Sequence, residues 1–550
     1  MLNFLSKHKY ILAFSIFFAV LSLALIINSG YESCSDGSCR YYFSEWQMHD
    51  ALWHISLAKL AFNKLPFSNP FHAGSMLTGY NYLIDLVLFI ITKLGVDAIK
   101  GYFFVLPVLA LMLYLHSTWL YLRDVCKTNF ERILSIFFLY FTTSLSYLLT
   151  LYTDQTLNGA TLRGFPVVTS LYPASMLLNL PYAFSLPLII YTVVYLTKNT
   201  ELSKAKYLSL IIFLAFGLKF YAGVAILLLL IGTTHLKKYA KLLVVILLPS
   251  LLAYFLFYRG NGVGFPFVFD PLALIHVVID DVLLFYNHSL TLARYYLYEN
   301  IIGLPFKLIA IETISISLFF AINWGTRALG YLLYFAVKSP DRLTKNLLTV
   351  SLVLGLIPIF FVQKGGWYNT MQFMYYSNLL LSLSTVRMLS ELRMSHPKIS
   401  VYLAIMIIVP LLPSTFEQLS YYTKPKNEIS SSELQALETL KSQPKGVVHV
   451  NRPWAKRAII PVFAEKEMYY LDADQLMLVL PTHSERLDLV KNYQGGSIQQ
   501  IPADYYFIYK NEVASEDSLS SLTHNPALKT IFDNETIRIF SRFKPGVTIN

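Results

Sequence analysis

Charge is what this sequence lacks most. Only 14% of its 550 residues are Asp, Glu, Lys or Arg, while 55% are hydrophobic and the mean hydropathy is +0.50. A soluble domain carries about 25% charged residues. So low a share excludes an ordinary soluble globular chain and a disordered one. The formal net charge of +11 is no nucleic-acid footprint, because the basic residues sit in short clusters between apolar runs. Cysteine is also scarce, with three in all, which excludes a disulfide-rich scaffold. The chain contains no Walker loop, no G-x-G-x-x-G and no zinc spacing.

Long apolar runs are present instead. A bilayer core needs about 20 apolar residues per helix. Such runs fall at 10–27, 101–122, 131–151, 176–196, 241–258, 306–337, 346–363, 371–390 and 399–414. The stretch 207–232 is too long for one helix and is interrupted at Gly217-Leu218-Lys219, so it reads as two short helices in a hairpin. The run 80–95 is short and reads as lying on one face of the membrane without crossing. The basic clusters at 123–132, 198–206, 237–241, 338–345 and 387–398 then all fall on the cytoplasmic side. This layout gives about 11 spans. It leaves the loops 28–78, 152–175, 259–305 and 364–370 and the C-terminus outside, and the N-terminus in the cytoplasm.

The expected fold is a polytopic α-helical membrane domain over 1–414, a linker over 415–430 and an extracytoplasmic α/β domain over 431–550. In that last part a helix is expected at Ser431–Lys441. Strands are expected at Gly446–Val450, Met468–Asp472, Tyr505–Tyr509, Thr530–Phe532 and Thr536–Phe540. Cys34 and Cys39 lie in the first outside loop and are expected to form a disulfide in an oxidising compartment.

Ionisable residues kept near a membrane mark candidate sites. The first outside loop reads Ser44-Glu45-Trp46-Gln47-Met48-His49-Asp50-Ala51-Leu52-Trp53-His54. On a helix over 47–62, Asp50 and His54 are four apart and share one face. Met48, Leu52, Ile55 and Phe62 form an apolar face, as on a helix lying in the membrane interface. Asp50 is a candidate general base or metal ligand, with His49 and His54 beside it. The competing reading is a solvated helix with ordinary surface charge. Asp85 in the run 80–95 reads as a cap, a buried polar contact or a substrate contact. Arg163 and Lys219 are candidate anion ligands; for Lys219 the competing reading is a side chain that snorkels. The segment Lys364-Gly365-Gly366-Trp367-Tyr368-Asn369, with Gln372 one turn on, is a candidate phosphate loop or a plain tight turn. The recognition groups are then His49, Arg163, Lys219, Lys364, Trp367, Asn369 and Gln372.

A first span, an outside loop with Asp50 on a helix and the Pro66-Phe67-Ser68-Asn69-Pro70-Phe71 loop follow one another. A tyrosine-led helix with Asp85, a multi-span core and an external C-terminal part complete the order. This order resembles the GT-C superfamily of membrane glycosyltransferases, which includes protein mannosyltransferases and lipid A aminoarabinose transferases. The resemblance implies transfer of a sugar from a polyprenyl-phosphate donor to a glycan, lipid or protein hydroxyl on the extracytoplasmic face. By position Asp50 matches the acid of that first loop, and His54 resembles the histidine that often follows it. Lys219 and the Lys364–Gln372 loop match donor-phosphate contacts more loosely. Beside Asp50 stands His49 rather than a second acid. No cofactor is certain and a divalent metal stays open. Two rival classes are a transporter or flippase of lipid-linked glycans and a non-catalytic membrane scaffold.

Overall fold

The computed structural model describes residues 2–24, 26–35, 37–148, 151, 171–198, 205–233, 239–259, 267–280, 288–300, 305–337, 340–364, 367–423, 427–451, 455–472, 476, 479–480, 483–492, 501–513, 520 and 522–542. The chain opens with helix α1 (Leu2–Ala24), a hairpin of β1 (Tyr31–Ser35) and β2 (Ser38–Phe43), and helices α2 (Glu45–Leu60) and α3 (Leu83–Lys93). It divides into two compact units. A helical unit holds residues 1–25, 107–255 and 265–422, and a mixed unit holds 26–106, 256–264 and 423–550.

Among the described residues, five helices are long and apolar enough to cross a membrane: Ala98–Val125, Leu180–Lys198, Pro305–Asn323, Arg342–Phe360 and Pro397–Ser420. Four shorter apolar helices join them, Ala13–Ala24, Lys206–Leu218, Phe220–Thr233 and Val244–Tyr258. Several expected runs are shorter than their hydropathy suggests. Within the run 131–151 the helix Asn129–Phe141 ends, and its next residues, Thr142 to Ser144, are buried and non-helical. The run 306–337 breaks after Asn323. Gly325 there has φ +55°, and a Cβ on it would meet Leu411 at 2.5 Å. Only glycine fits that bend without strain. The stretch 207–232 breaks at Lys219, between the helices Ala205–Leu218 and Phe220–Thr233. Helix Gln372–Ser395 is rich in Ser and Thr and is largely buried, so it serves as a core helix of this unit.

A buried arginine holds the broken elements of the helical unit. Arg327 is 2% exposed. Its guanidinium donates to the carbonyl oxygens of Thr142 and Thr143, to Thr142 Oγ1 and to Ser382 Oγ. It also lies 5.0 Å from the centroid of the Tyr172 ring. Two of the acceptors are carbonyls of the non-helical residues that follow Asn129–Phe141. Arg supplies five donors in a fixed fork, which suits that task better than Lys.

In the mixed unit, β1 and β2 pair antiparallel, with Cys34 opposite Cys39 and the two joined in a disulfide. β2 pairs in turn with β5 (Asn427–Ile429). The expected linker is therefore structured: Leu412–Tyr422 is helical and β5 completes a three-stranded sheet. Helix Ser431–Ser442 starts in a capping box, where Ser430 Oγ accepts from Glu433 N at 3.2 Å and Glu433 Oε2 accepts from Ser430 N at 3.1 Å. Five strands then form a mixed sheet: β6 (Val447–Val450), β7 (Glu467–Met468), β8 (Tyr505–Tyr509), β9 (Leu528–Asp533) and β10 (Ile537–Arg542), in the order β7-β6-β8-β10-β9. β6 runs parallel to β7 and β8, while β10 runs antiparallel to β8 and β9. Asn534 closes the last hairpin by accepting from the amides of Thr536 and Ile537 at 3.0 and 2.7 Å.

These C-terminal residues share their unit with 26–106 because backbone bonds cross between them. Met468 N donates to Pro70 O at 2.7 Å, Ala73 N to Met468 O at 2.8 Å and Leu471 N to Phe71 O at 3.0 Å.

His449 lies fully buried in β6, and burial pushes its pKa down to about 3. The unfolded imidazole titrates near 6.5. The folded pKa is depressed, so stability is complete above pH 6.5 and is lost as pH falls from there toward 3. The slope is about 1.4 kcal/mol per pH unit, or about 2 kcal/mol between pH 6.5 and 5. His449→Leu is expected to flatten that limb. Melting curves of wild type and variant at pH 7 and pH 5 check it; equal losses in both would refute the assignment.

Candidate functional site

The mixed unit brings Asp50 and His54 of α2 together with Asp85 of α3. α3 buries Ile84, Asp85 and Leu88, a helical stripe whose middle member is a carboxylate. Asp85 has no exposure and His54 has 2%. His54 Nδ1 and Asp85 Oδ1 are 2.5 Å apart. The other imidazole nitrogen, Nε2, is 3.8 Å from Asp50 Oδ2, and the Asp50 side chain is 30% exposed. A line of three groups thus runs from a buried acid through an imidazole to an accessible acid.

Aromatic rings enclose the line. His54 lies 5.8 Å from the Tyr102 ring at 21°, and 6.3 Å from Tyr80. Trp53 stacks on Phe71 at 4.1 Å and 7°. Phe71 is set by its own loop, where Asn69 Oδ1 accepts from Phe71 N at 3.0 Å. The Pro-Phe-x-Asn-Pro-Phe segment therefore supports α2 from beneath Trp53. Burial pushes the Asp85 carboxyl up, while His54 pulls it back down. Burial also raises the Tyr80 hydroxyl, helped by the negative charge of Asp85 and then Asp50.

One expectation about α2 needs correction. It does not present an apolar face and an opposite polar one as an interfacial helix would. Residues 51–58 are all buried, because loop 66–73 and α3 pack against it and Lys59 donates to Val462 O at 2.8 Å. His54 is accordingly an internal group. His49 lies on the same helix, and its side chain is outside the described residues.

The helical unit holds a second cluster. Lys219 is half-buried at the break between two helices. Beside it, Tyr221 Oη donates to Gln363 Oε1 at 2.6 Å and its ring meets Phe373 at 4.9 Å. β3 (Phe267–Phe269) pairs with β4 (Phe361–Gln363), and the Phe220 and Phe267 rings are 5.9 Å apart. Lys364 is exposed in the turn after β4. Trp367 opens the 3-10 turn Trp367–Met371, and its side chain is outside the described residues. Gln372 Nε2 donates to Asn369 Oδ1 at 3.2 Å, while Gln372 Oε1 is buried with no hydrogen-bond partner among the described residues. Tyr221 thus joins the second helix of the broken pair to Gln363 of β4 and to Phe373, beside the Gln372–Asn369 amide pair. Arg163 lies outside the described residues.

For a metal, the donors around Asp50 are few. Asp85 engages Nδ1 of His54, and of the three groups Asp50 is the one with appreciable exposure. Among the described residues the one group of three potential ligands is Glu32, Cys34 and Cys39. Its two thiols are spent in the disulfide.

No protein-family model and no curated protein matches the sequence. Solved structures do. The archaeal oligosaccharyltransferase AglB from Archaeoglobus fulgidus, in complex with an inhibitory peptide and a dolichol-phosphate, aligns with a TM-score of 0.50 at 12% identity. The alignment covers 92% of this chain and 70% of that one. Arabinofuranosyltransferase AftD from Mycobacteria aligns at 0.51 and 11%, covering 97% of this chain and 40% of the other. The chain has a GT-C glycosyltransferase fold. ArnT from Cupriavidus metallidurans, bound to undecaprenyl phosphate, aligns over 99% of this chain and 100% of its own at a TM-score of 0.41 and 9% identity. With its apolar helices, the chain is an integral membrane protein.

Sequence reasoning found Asp50 and His54 from their spacing of four. It left the role of Asp85 open, because nothing local says that a polar residue in an apolar run faces another helix. The signal was its isolation: a lone carboxylate within Leu83–Ile91 must find a partner.

Proposed function

We propose that this chain transfers a sugar from a polyprenyl-phosphate-linked donor to a hydroxyl acceptor on the extracytoplasmic face of a cell membrane. The GT-C fold supports the class of reaction. The observation that carries the reading is the partly exposed Asp50 carboxylate backed by a buried imidazole and a buried acid. Asp50 acts as general base. It accepts the acceptor's hydroxyl proton as the oxygen attacks the anomeric carbon, and the lipid phosphate departs with the bonding electron pair. Lys219 and Lys364 are the cations proposed to hold the donor phosphate, with Arg163 beside them in role. Asn369 and Gln372 offer amide groups and Trp367 a ring face for the sugar. A positive group placed where charge develops on the leaving phosphate stabilises the transition state.

A structural relative supports a lipid-linked donor by kind: AglB was captured with a dolichol-phosphate. A transporter of the same lipid-linked sugar is the rival, favoured by the broken helix at Lys219.

The purified chain in lipid nanodiscs is tested against a panel of radiolabelled polyprenyl-phosphate pentoses and hexoses, with membrane extract as acceptor and with and without EDTA. Label moving into the acceptor fraction is expected for at least one donor. Loss of that signal with EDTA would assign a metal. Failure of every donor to give transfer or hydrolysis would contradict the reading.

A further inference from the structure

We propose that the helix His288–Glu299 lies in the bilayer interface, with Leu292, Tyr295 and Tyr296 seated at the boundary between lipid headgroups and acyl chains. Its partner is the lipid itself, held through phenol rings and not through charge.

The sequence sets two faces. Thr291, Arg294 and Leu297 recur every three residues and are buried. Leu292, Tyr295 and Tyr296 stand at i, i+3 and i+4, so they form one stripe on the other side. Each of the three is more than half exposed. A contiguous exposed patch of large side chains marks a contact surface. With 12 residues the helix is about 18 Å long. That is too short to cross a hydrocarbon core of about 30 Å, so the stripe is not the outer face of a span.

The next helix sets the depth. Pro305–Asn323 is a membrane helix about 28 Å long. Leu297 packs with its Leu308 and Ile311, which lie within its first two turns. Tyr298 Oη donates to its Glu312 Oε1 at 3.2 Å, and His276 Nε2 of the helix Ala273–Asp280 lies 3.0 Å from the same oxygen. A carboxylate kept in a span needs polar partners, and these two pin both short helices near the end of the span. That is the level of the headgroups. There Phe306 and Ile309 of the span are exposed to lipid, so the membrane covers the neighbouring surface as well.

Side-chain chemistry favours lipid over a protein partner. A tyrosine has an apolar ring and a polar tip, which is why tyrosines gather at membrane interfaces. Arg294 is the one Lys or Arg of the helix. It is 3% exposed, with its guanidinium 5.4 Å from the Tyr295 ring centroid. The stripe thus offers no exposed arginine or lysine to an anionic headgroup, unlike the basic helices that bind by charge.

The test places a nitroxide on Leu292→Cys or Tyr296→Cys of the full-length chain in phosphatidylcholine nanodiscs. Cys126→Ser removes the free thiol, and the Cys34–Cys39 disulfide is left intact. EPR saturation reads collisions with molecular oxygen, which concentrates in lipid, and with a neutral nickel chelate, which stays in water. Oxygen collisions should exceed nickel collisions at both positions, at a depth of about 5–10 Å. Exchanging part of the phosphatidylcholine for phosphatidylglycerol should leave that depth unchanged. Should either variant fail to fold, Tyr295→Cys reads the same stripe.

An excess of nickel collisions at either position would put the stripe in water and overturn the proposal. Few collisions with both reagents would mean that protein covers it, a second copy of this chain included, and would overturn it too. A depth that is reached only with phosphatidylglycerol would overturn binding through the phenol rings alone.

Discussion

Asp50→Asn is expected to lower sugar transfer by roughly 100- to 10,000-fold, the range a positioned general base contributes. The amide matches the carboxylate in shape, so α2 and its burial against loop 66–73 should be untouched. Asp50 is partly exposed, and its long contact with His54 contributes little to stability. Expression and melting temperature should match wild type. The measurement is kcat and KM for donor and acceptor in nanodiscs. The fall should appear in kcat with donor KM nearly constant, because the lost group acts on the acceptor's proton and does not hold the donor. A variant with more than about half the wild-type rate would remove Asp50 from the mechanism.

Arg327→Met should damage folding more than any other single change named here. The thioether fills much of the same space but donates nothing. The carbonyls of Thr142 and Thr143, both on buried residues, would lose their bonds. Each unsatisfied buried group costs about 1–3 kcal/mol, and water is scarce inside a membrane bundle to make up the loss. The sum, about 2–6 kcal/mol, is a large fraction of the 5–15 kcal/mol that typically holds a domain together. Arg327→Lys keeps the charge and loses the fork, so an intermediate effect is expected. Monodisperse yield and thermal unfolding in detergent report the outcome. A Met variant that melts within a degree or two of wild type would show that the guanidinium is dispensable.

How far these residues were legible in the sequence follows from how local their signals are. Apolar runs announce helices, and the spacing of Asp50 and His54 places them on one face, since both depend on a few neighbouring residues. The strand Tyr505–Tyr509 and the capped helix at Ser431 were legible for the same reason. Long-range partnership was not. Hydropathy reads 306–337 as continuous, because the bend at Gly325 is set by Leu411 far along the chain. Residues 415–430 look like a polar linker, yet 427–429 pair with β2 nearly 400 residues earlier. The burial of His54 escaped because an amphipathic-looking helix was assumed to face lipid on one side and water on the other. In the fold the helix is covered all round: His54 meets Asp85 of α3 and Trp53 meets Phe71 of loop 66–73. Arg327 escaped as well, since an arginine beside a turn looks like an interfacial cation until the carbonyls opposite it are known.

The central claim is that the chain cleaves the sugar–phosphate bond rather than carrying the intact lipid-linked sugar across the bilayer. The most direct measurement follows one donor, labelled in the sugar and in the lipid, in proteoliposomes containing wild type or Asp50→Asn. The account predicts that wild type yields free polyprenyl phosphate and glycosylated acceptor in equal amounts, and that Asp50→Asn yields neither. Movement of the intact donor between leaflets, with no polyprenyl phosphate released by wild type, would contradict it.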